Sequence, residues 1–367
     1  MKKIILYLRI IILIISFFNN SCYVQNDYDF KKIKTIEFEI EKKDYKHINF
    51  FECNDSIMFS AVCLDQNSLD IYNVVSNKKI ANISLKEITE KVNCEDGLSY
   101  FIRNLDSIIL IPYRSKFVFF MNKEGRVYRK IEVSKPIKLD NNETHQYNLY
   151  FPIWPQPNLV LVNFVPSIPV ITFLDRNKYY SNFVVKKIIM TKDGYIIKEI
   201  DGVKWPNEYF DTTKNFRDFH PTLSYNHSKN EILISFKCSP KIFQYQISEN
   251  KINEFNYLQD TETSFLSFNQ DSTGSMTYIQ EFYKRQSYLG NVIFCPYYNK
   301  YFRIYNFYND TSDTRNSFLF MFSDNFKLIT KFYSPVNYYW LIPNNHFLIL
   351  INKSSPFTFK CDYYLIN

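Results

Sequence analysis

Apolar and polar positions along this chain repeat one local pattern. From Phe117 to Val133 the sequence runs FVFFMNKEGRVYRKIEV: an apolar run, then a polar turn at Asn122-Lys123-Glu124-Gly125, then a return segment. In the return, Val127, Ile131 and Val133 are interleaved with Arg126, Lys130 and Glu132. A short apolar run bounded by a turn reads as a buried strand, and an alternating return as a strand with one solvent face. The same hairpin recurs at Leu69–Leu85, Val184–Ile200, Ile242–Phe255 and Phe318–Phe332. Its turns there are Ser76-Asn77-Lys78, Lys192-Asp193-Gly194, Ser248-Glu249-Asn250 and Ser323-Asp324-Asn325. Recurrence of one hairpin along a chain marks a repeat architecture.

The strands fall into six groups, with onsets near Ile57, Ile108, Val160, Ile232, Val292 and Phe347. These are roughly 50 to 70 residues apart, the spacing of propeller blades with loop insertions. The expected fold is all-β, a six-bladed β-propeller. A pair of sandwiches or a β-solenoid accounts less well for the blade-length repeats and the joints at Pro152, Pro155, Pro157, Pro166 and Pro169. Lys86–Gly97 reads as a short helical or irregular joint, and Pro169–Leu174 as a strand of the third group. The last group, Tyr338–Ile366, lacks the return strand of its siblings, whereas IKTIEFEI at residues 33–40 is a strand without a local partner. Pairing the two would complete the sixth blade and leave no open edge.

Composition sharpens this reading. Phe numbers 35 and Tyr 30 against only 6 Gly, and aromatic residues favour pleated, half-buried surfaces. The formal charge is +7, and about +4 once Lys2, Lys3 and Arg9 are set aside with the leader. No block of five like charges occurs, so the phosphate-facing patch that nucleic-acid binding requires is missing.

Residues 1–22 read MKKIILYLRIIILIISFFNNSC. Lys2 and Lys3 precede an apolar run, Ile10–Phe18, that Arg9 separates from Ile4–Leu8. Neither piece reaches the ~20 apolar residues of a spanning helix, so the segment reads as a secretory signal. Ser21-Cys22 at its end resembles the lipobox of bacterial lipoproteins, with Asn19 and Asn20 where the box prefers an apolar and a small residue. The resemblance implies cleavage before Cys22 and lipidation of Cys22. The expected organisation is a signal peptide at 1–21, a tether at 22–32 and a propeller domain at 33–367. The other cysteines, Cys53, Cys63, Cys94, Cys238, Cys295 and Cys361, are scattered singly without metal-site spacing. Four of them lie in apolar strand patterns and read as small buried hydrophobes; a Cys53–Cys63 pairing is a further option that export leaves open.

A lipobox-like Cys22 followed by six strand groups resembles the lipid-anchored six-bladed, TolB-like propeller proteins of Gram-negative envelopes. Two stretches carry the resemblance: FHPTLSYNHSKNEILISFKCSPKIFQYQI at Phe219–Ile247 and VIFCPYYNKYFRIYNF at Val292–Phe307. It implies a lipid anchor in the cell envelope, at the outer membrane, and no catalytic motif.

Candidate chemistry is sparse. His220, with Arg217, Asp218 and Tyr225, could line a mouth of the central channel or simply pack a loop. Trp205, like Trp154 and Trp340, stands beside prolines or aromatics and suits either ligand stacking or packing between blades. Asn269-Gln-Asp271-Ser-Thr273-Gly274 spaces oxygen-bearing side chains as calcium loops do, but position twelve is Gln280 rather than glutamate. No phosphate loop, nucleophile elbow or cofactor motif is present. The expected function is therefore a non-catalytic binding or scaffolding module. Its partners would be the membrane, through the lipid, and an envelope protein or glycan. The alternative is an envelope enzyme acting on glycans or peptides in the propeller funnel.

Overall fold

The structure is a computed structural model. It describes residues 28–367 apart from 93, 95–96, 114, 134–136, 139–143, 146, 167–184, 210–220, 257–264 and 266–275. Residues 1–27, where a leader, Cys22 and a tether are expected, lie outside the described residues, as does Pro169–Leu174.

Strand β1 (Phe30–Glu39) is followed by blade 1, made of β2 (Tyr45–Cys53), β3 (Ser56–Cys63), β4 (Ser68–Asn73) and β5 (Lys78–Ser84). A one-turn helix α1 (Lys86–Thr89) leads to blade 2: β6 (Leu98–Asn104), β7 (Ser107–Pro112), β8 (Phe117–Met121) and β9 (Val127–Glu132). A two-stranded ribbon of β10 (Ile137–Lys138) and β11 (Thr144–His145) precedes blade 3. Blade 3 is β12 (Tyr147–Gln156), β13 (Leu159–Pro166), β14 (Val185–Thr191) and β15 (Gly194–Glu199). Blade 4 is β16 (Pro221–Asn226), β17 (Glu231–Phe236), β18 (Ser239–Gln246) and β19 (Lys251–Asn256). Helix α2 (Met276–Arg285) then leads to blade 5: β20 (Tyr288–Cys295), β21 (Lys300–Asn309), β22 (Thr314–Phe322) and β23 (Leu328–Ser334). Blade 6 combines β24 (Trp340–Asn344), β25 (Phe347–Ser355) and β26 (Thr358–Ile366) with β1 as its outermost strand. The first strands neighbour one another in the order β2, β6, β12, β16, β20, β24 and back to β2, which closes a six-bladed β-propeller.

The strands lie in this ring because the middle strands of each blade are apolar on both faces. In β7, Ile108 and Leu110 pack against blade 1, while Ile109 and Ile111 pack against blade 3. β13 does the same, Val160 and Val162 facing blade 2 and Leu159 and Leu161 facing blade 4. In β25, Ile349 and Ile351 face blade 1, and Leu348 and Leu350 face blade 5. Strand alternation thus turns continuous apolar runs into six interblade layers rather than one central core. The five recurrent hairpins of the sequence are the outer strand pairs of blades 1–5, and the last strands of blades 1 and 2 alternate exposed with partly or fully buried positions. Their turns need left-handed backbone, which Asn77 (φ 52°), Gly125 (φ 80°) and Asn250 (φ 51°) supply. Asn tolerates that region better than other non-glycine residues, so a chain poor in glycine still turns tightly.

Closure follows the expected route, with β1 starting at Phe30, three residues earlier than read from the pattern. β1 runs antiparallel to β26, from Phe30 opposite Ile366 to Glu39 opposite Thr358. Phe38, fully buried, packs its ring 5.2 Å from Phe59 and 6.3 Å from Phe359, bridging blades 1 and 6. Thr35 donates to Asp362 Oδ1 at 2.6 Å and Lys32 pairs with the same oxygen at 2.6 Å, while Tyr338 donates to Oδ2 at 2.7 Å. Blade 1 carries a matching arrangement. Tyr45 donates to the buried Asp70 at 2.5 Å, Lys79 pairs with it at 3.1 Å, and Asn82 donates to it. In each case the aspartate lies two residues before a tyrosine, Tyr72 or Tyr364, whose hydroxyl meets the first tyrosine at 3.0 or 3.1 Å.

Burial pushes both carboxyls up, but the hydrogen bonds outweigh it and hold Asp70 and Asp362 below the usual aspartate range. A carboxyl depressed in the folded state contributes stability that is present above its unfolded pKa of ~3.9 and lost as pH falls through the folded value. Acid titration of the melting midpoint should therefore show a decline starting near pH 4 that is shallower in Asp70→Asn and Asp362→Asn. An identical slope in all three proteins would remove these carboxylates from the account.

The innermost strands of blades 1–4 escape the sequence pattern. The residues before Ile57, Ile108, Val160 and Ile232 form β2, β6, β12 and β16. Pairing of the first three is interrupted, between Lys46 and Asn49, Ile102 and Asn104, and Tyr150 and Ile153. A bulge shifts the two-residue period by one, so the apolar alternation breaks mid-strand. In β2 the bulge holds His47 at φ 50°, where its Nε2 accepts from the Leu98 amide at 3.3 Å and its Nδ1 meets Tyr113 Oη at 3.2 Å. A Cβ at Gly97 would come within 2.4 Å of that Nε2, so His47 and Gly97 are fitted to each other at the joint between blades 1 and 2.

Candidate functional site

The first strands of the blades run along the channel, so their ends meet at its mouths. One mouth carries the turns from first to second strand of every blade. There, blade 2 contributes Arg103 from the end of β6, blade 3 contributes Trp154 and Gln156 from the end of β12, and blade 4 contributes Tyr225, His227 and Asn230 around the β16–β17 turn. Tyr128, at the start of the outer strand β9, belongs to the same end of blade 2 and is 52% exposed.

Arg103 is exposed, and its guanidinium lies over the Trp154 ring, 5.6 Å from the centroid. Trp154 itself is buried, edge-on to Phe120 at 5.3 Å, with its indole N–H directed at the Pro157 carbonyl at 3.4 Å. The Tyr225 and His227 rings meet edge to face at 4.3 Å. Asn230 Oδ1 accepts from both Tyr225 Oη at 3.0 Å and Gln156 Nε2 at 2.9 Å, which ties the ends of blades 3 and 4 together. Burial, and next the positive charge of Arg103, lower the His227 pKa, so its imidazole is neutral at physiological pH. Burial raises the Tyr225 hydroxyl, with Arg103 acting in the opposite direction. Tyr128 is likewise raised by burial and pulled back by Arg129 and Arg103. Among the described residues no carboxylate pairs with Arg103. Arg129 is engaged, donating to the Gly194 carbonyl at 3.2 Å, and nearby Asp106 is paired with Lys123.

Elsewhere on this mouth, blade 1 brings Glu52 and blade 6 brings Asn344, whose Nδ2 donates to Glu52 Oε1 and to the Asp55 carbonyl, both at 3.2 Å. Burial raises the Glu52 carboxyl, the Asn344 bond lowers it, and Asp55 raises it further. Tyr297, 64% exposed, lies 5.9 Å from the His346 ring, beside Phe347.

The residues singled out from sequence are placed differently. Arg217 and His220 lie outside the described residues, as do Asp218 and the calcium-like stretch Asn269–Gly274. Gln280 is exposed on α2. Tyr225 stands at the far end of β16 from Pro221, at the mouth just described. Trp205 is 3% exposed and packs at 5.4 Å against both Tyr209 and Phe236 between blades 3 and 4. Its ring thus follows the packing alternative weighed for the tryptophans. Trp340 packs likewise, 5.1 Å from Phe50. Arg103, Tyr128, Gln156 and Asn230 carry no local motif; only an end-of-strand position would have pointed to them, and for Arg103, Gln156 and Asn230 the missed inner strands concealed it.

The six described cysteines are free. Cys53 sits opposite Ser56 and Cys63 opposite Tyr45, at the two ends of one hairpin. Burial raises the Cys94 and Cys295 thiols and pushes Cys361 up to about 12, consistent with thiols acting as small hydrophobes. Among the described residues no three His, Cys, Asp or Glu side chains group as a metal site would, and no helix is long and apolar enough to cross a membrane.

No protein-family model matches the sequence, and no curated protein does either. Among solved structures, the chain is similar to a member of the DUF4221 family from Bacteroides vulgatus, with a TM-score of 0.65, 12% identity, and coverage of 94% of this chain and 99% of that one. It is also similar to a Bacteroides fragilis protein described as exported, at TM-score 0.45 and 10% identity over 95% of this chain and 97% of that one. At these identities the likeness speaks to the fold alone, and the DUF4221 structure carries it.

Proposed function

We propose that this protein is a lipid-anchored propeller of the bacterial envelope, at the outer membrane, working as a non-catalytic binding module. Its ligand face is the mouth formed by blades 2, 3 and 4. The observation that carries this is Arg103, an exposed guanidinium at an inner-strand end, flanked by aromatic rings and left without a carboxylate partner among the described residues. An exposed cation on a rigid aromatic platform offers recognition without requiring a nucleophile or a paired acid and base. The anchor rests on the leader and on Ser21-Cys22, and the likeness to TolB-like envelope propellers fits the same location.

The binding face is tested by co-sedimentation of the full-length protein, in mild detergent, with isolated cell envelopes. Retention is expected to fall in the double variant Arg103→Gln/Tyr128→Ala and to persist in Lys198→Gln, on the outer strand of blade 3. Equal retention of all three proteins would overturn the assignment of this face. Separately, Cys22→Ala is expected to move the protein from the membrane to the soluble fraction of lysed cells. Unchanged membrane association would remove the lipid anchor from the proposal.

A further inference from the structure

We infer that the mouth of blades 2–4 binds an acidic saccharide, a pyranose ring carrying an isolated carboxylate, with Arg103 receiving the acid. This rests on the reading of that mouth as the ligand face. The guanidinium offers a planar fork of donors that matches a carboxylate bidentately, and no described carboxylate occupies it. Around it the structure places aromatic rings: Tyr128 half-exposed, and the His227 and Tyr225 rings in edge-to-face contact. Such rings suit the C–H faces of a sugar, while their polar atoms reach its hydroxyls. The neutral His227 offers one donor and one acceptor, the mixed pattern that hydroxyl groups need.

The charge layout limits the density of acid on the ligand. Lys123 is paired with Asp106, Arg126 lies within the field of Glu87 and Arg129 is oriented by its bond to the Gly194 carbonyl, so the cations beside Arg103 are not arrayed as a ladder for phosphates. Blade 1 brings Glu52 and Asp55 to the same mouth, where closely spaced anions would be repelled. A sugar chain with at most one carboxylate per ring fits these constraints better than a polyphosphate or a run of acidic residues.

The test is isothermal titration of the full-length protein in mild detergent with three probes: tri-galacturonate, neutral tri-galactose and a tri-glutamate peptide. Tri-galacturonate is expected to bind most tightly. Arg103→Gln should weaken it roughly ten- to a hundredfold, the loss expected for a charge-assisted bidentate contact, with Arg103→Lys intermediate. Tyr128→Ala should weaken both saccharides together. A melting midpoint unchanged from the parent protein shows that each variant is folded. Equal affinity for the neutral and acidic saccharides, tighter binding of the peptide, or no binding of tri-galacturonate would each overturn the inference. If envelope retention still depended on Arg103 and Tyr128, the ligand face itself would stand and only the saccharide class would fall.

Discussion

Replacing Arg303 by methionine is expected to destabilise the propeller by about 3–5 kcal/mol, because the change leaves several buried acceptors without their donor. Arg303 is fully buried, on β21 of blade 5. Its Nε donates to the Gly290 carbonyl of its own blade at 2.8 Å. Its Nη2 reaches the Phe236 carbonyl of blade 4 at 2.7 Å, and Nη1 the Ser239 carbonyl at 3.4 Å. One guanidinium therefore clamps the β17–β18 turn of one blade to the inner strand pair of the next. Methionine fills much of the volume but returns no donor, and the Phe236 and Ser239 carbonyls belong to fully buried residues. Lysine restores a charge without the fork and should recover only part of the loss. Urea unfolding measures both: a midpoint for Arg303→Met equal to that of the parent protein would show that water or backbone rearrangement satisfies the joint.

Removing β1, by starting the chain at Ile40, is expected to abolish the cooperative melt altogether. The deletion strips the outer strand from blade 6 and exposes the whole hydrogen-bonding edge of β26. It also removes Phe38 from the aromatic layer between blades 6 and 1, a loss that by itself amounts to about 3–5 kcal/mol for a buried phenylalanine. Asp362 would lose Thr35 and Lys32 and keep Tyr338, leaving a buried carboxylate under-neutralised. These losses fall on one seam and act together, so the ring opens there instead of fraying. Differential scanning calorimetry decides the matter. A single sharp transition at the parental midpoint in the shortened chain would mean that blades 1 and 6 hold together without the strand between them.

The two effects differ in how far they can be foreseen. Closure by β1 was legible because IKTIEFEI has a strand's alternation and no local partner, and because the last group lacks a return strand. The Arg303 clamp was not. In the sequence Arg303 interrupts the apolar run YFRIYNF and looks like the solvent face of a strand. Its depth, and the two carbonyls sixty-odd positions away in blade 4, exist only once neighbouring blades are packed.

By itself the sequence determined what depends on neighbours along the chain. Hairpin turns, apolar runs and the alternation of the outer strands are local, and so they declare the repeat, the number of blades and the closing strand. The tertiary structure alone decided what depends on neighbours across the ring. It placed Trp205 between blades rather than at a mouth, it put Tyr225 at the far end of its strand from Pro221, and it brought Arg103, Tyr128, Gln156 and Asn230 to one rim from four different strands and turns. The physical reason is the bulged inner strand. A register shift erases the two-residue period in β2, β6 and β12, so the pattern cannot report the facing of Arg103 and Gln156, while Asn230, beyond the unbulged β16, meets Gln156 only once blades 3 and 4 pack.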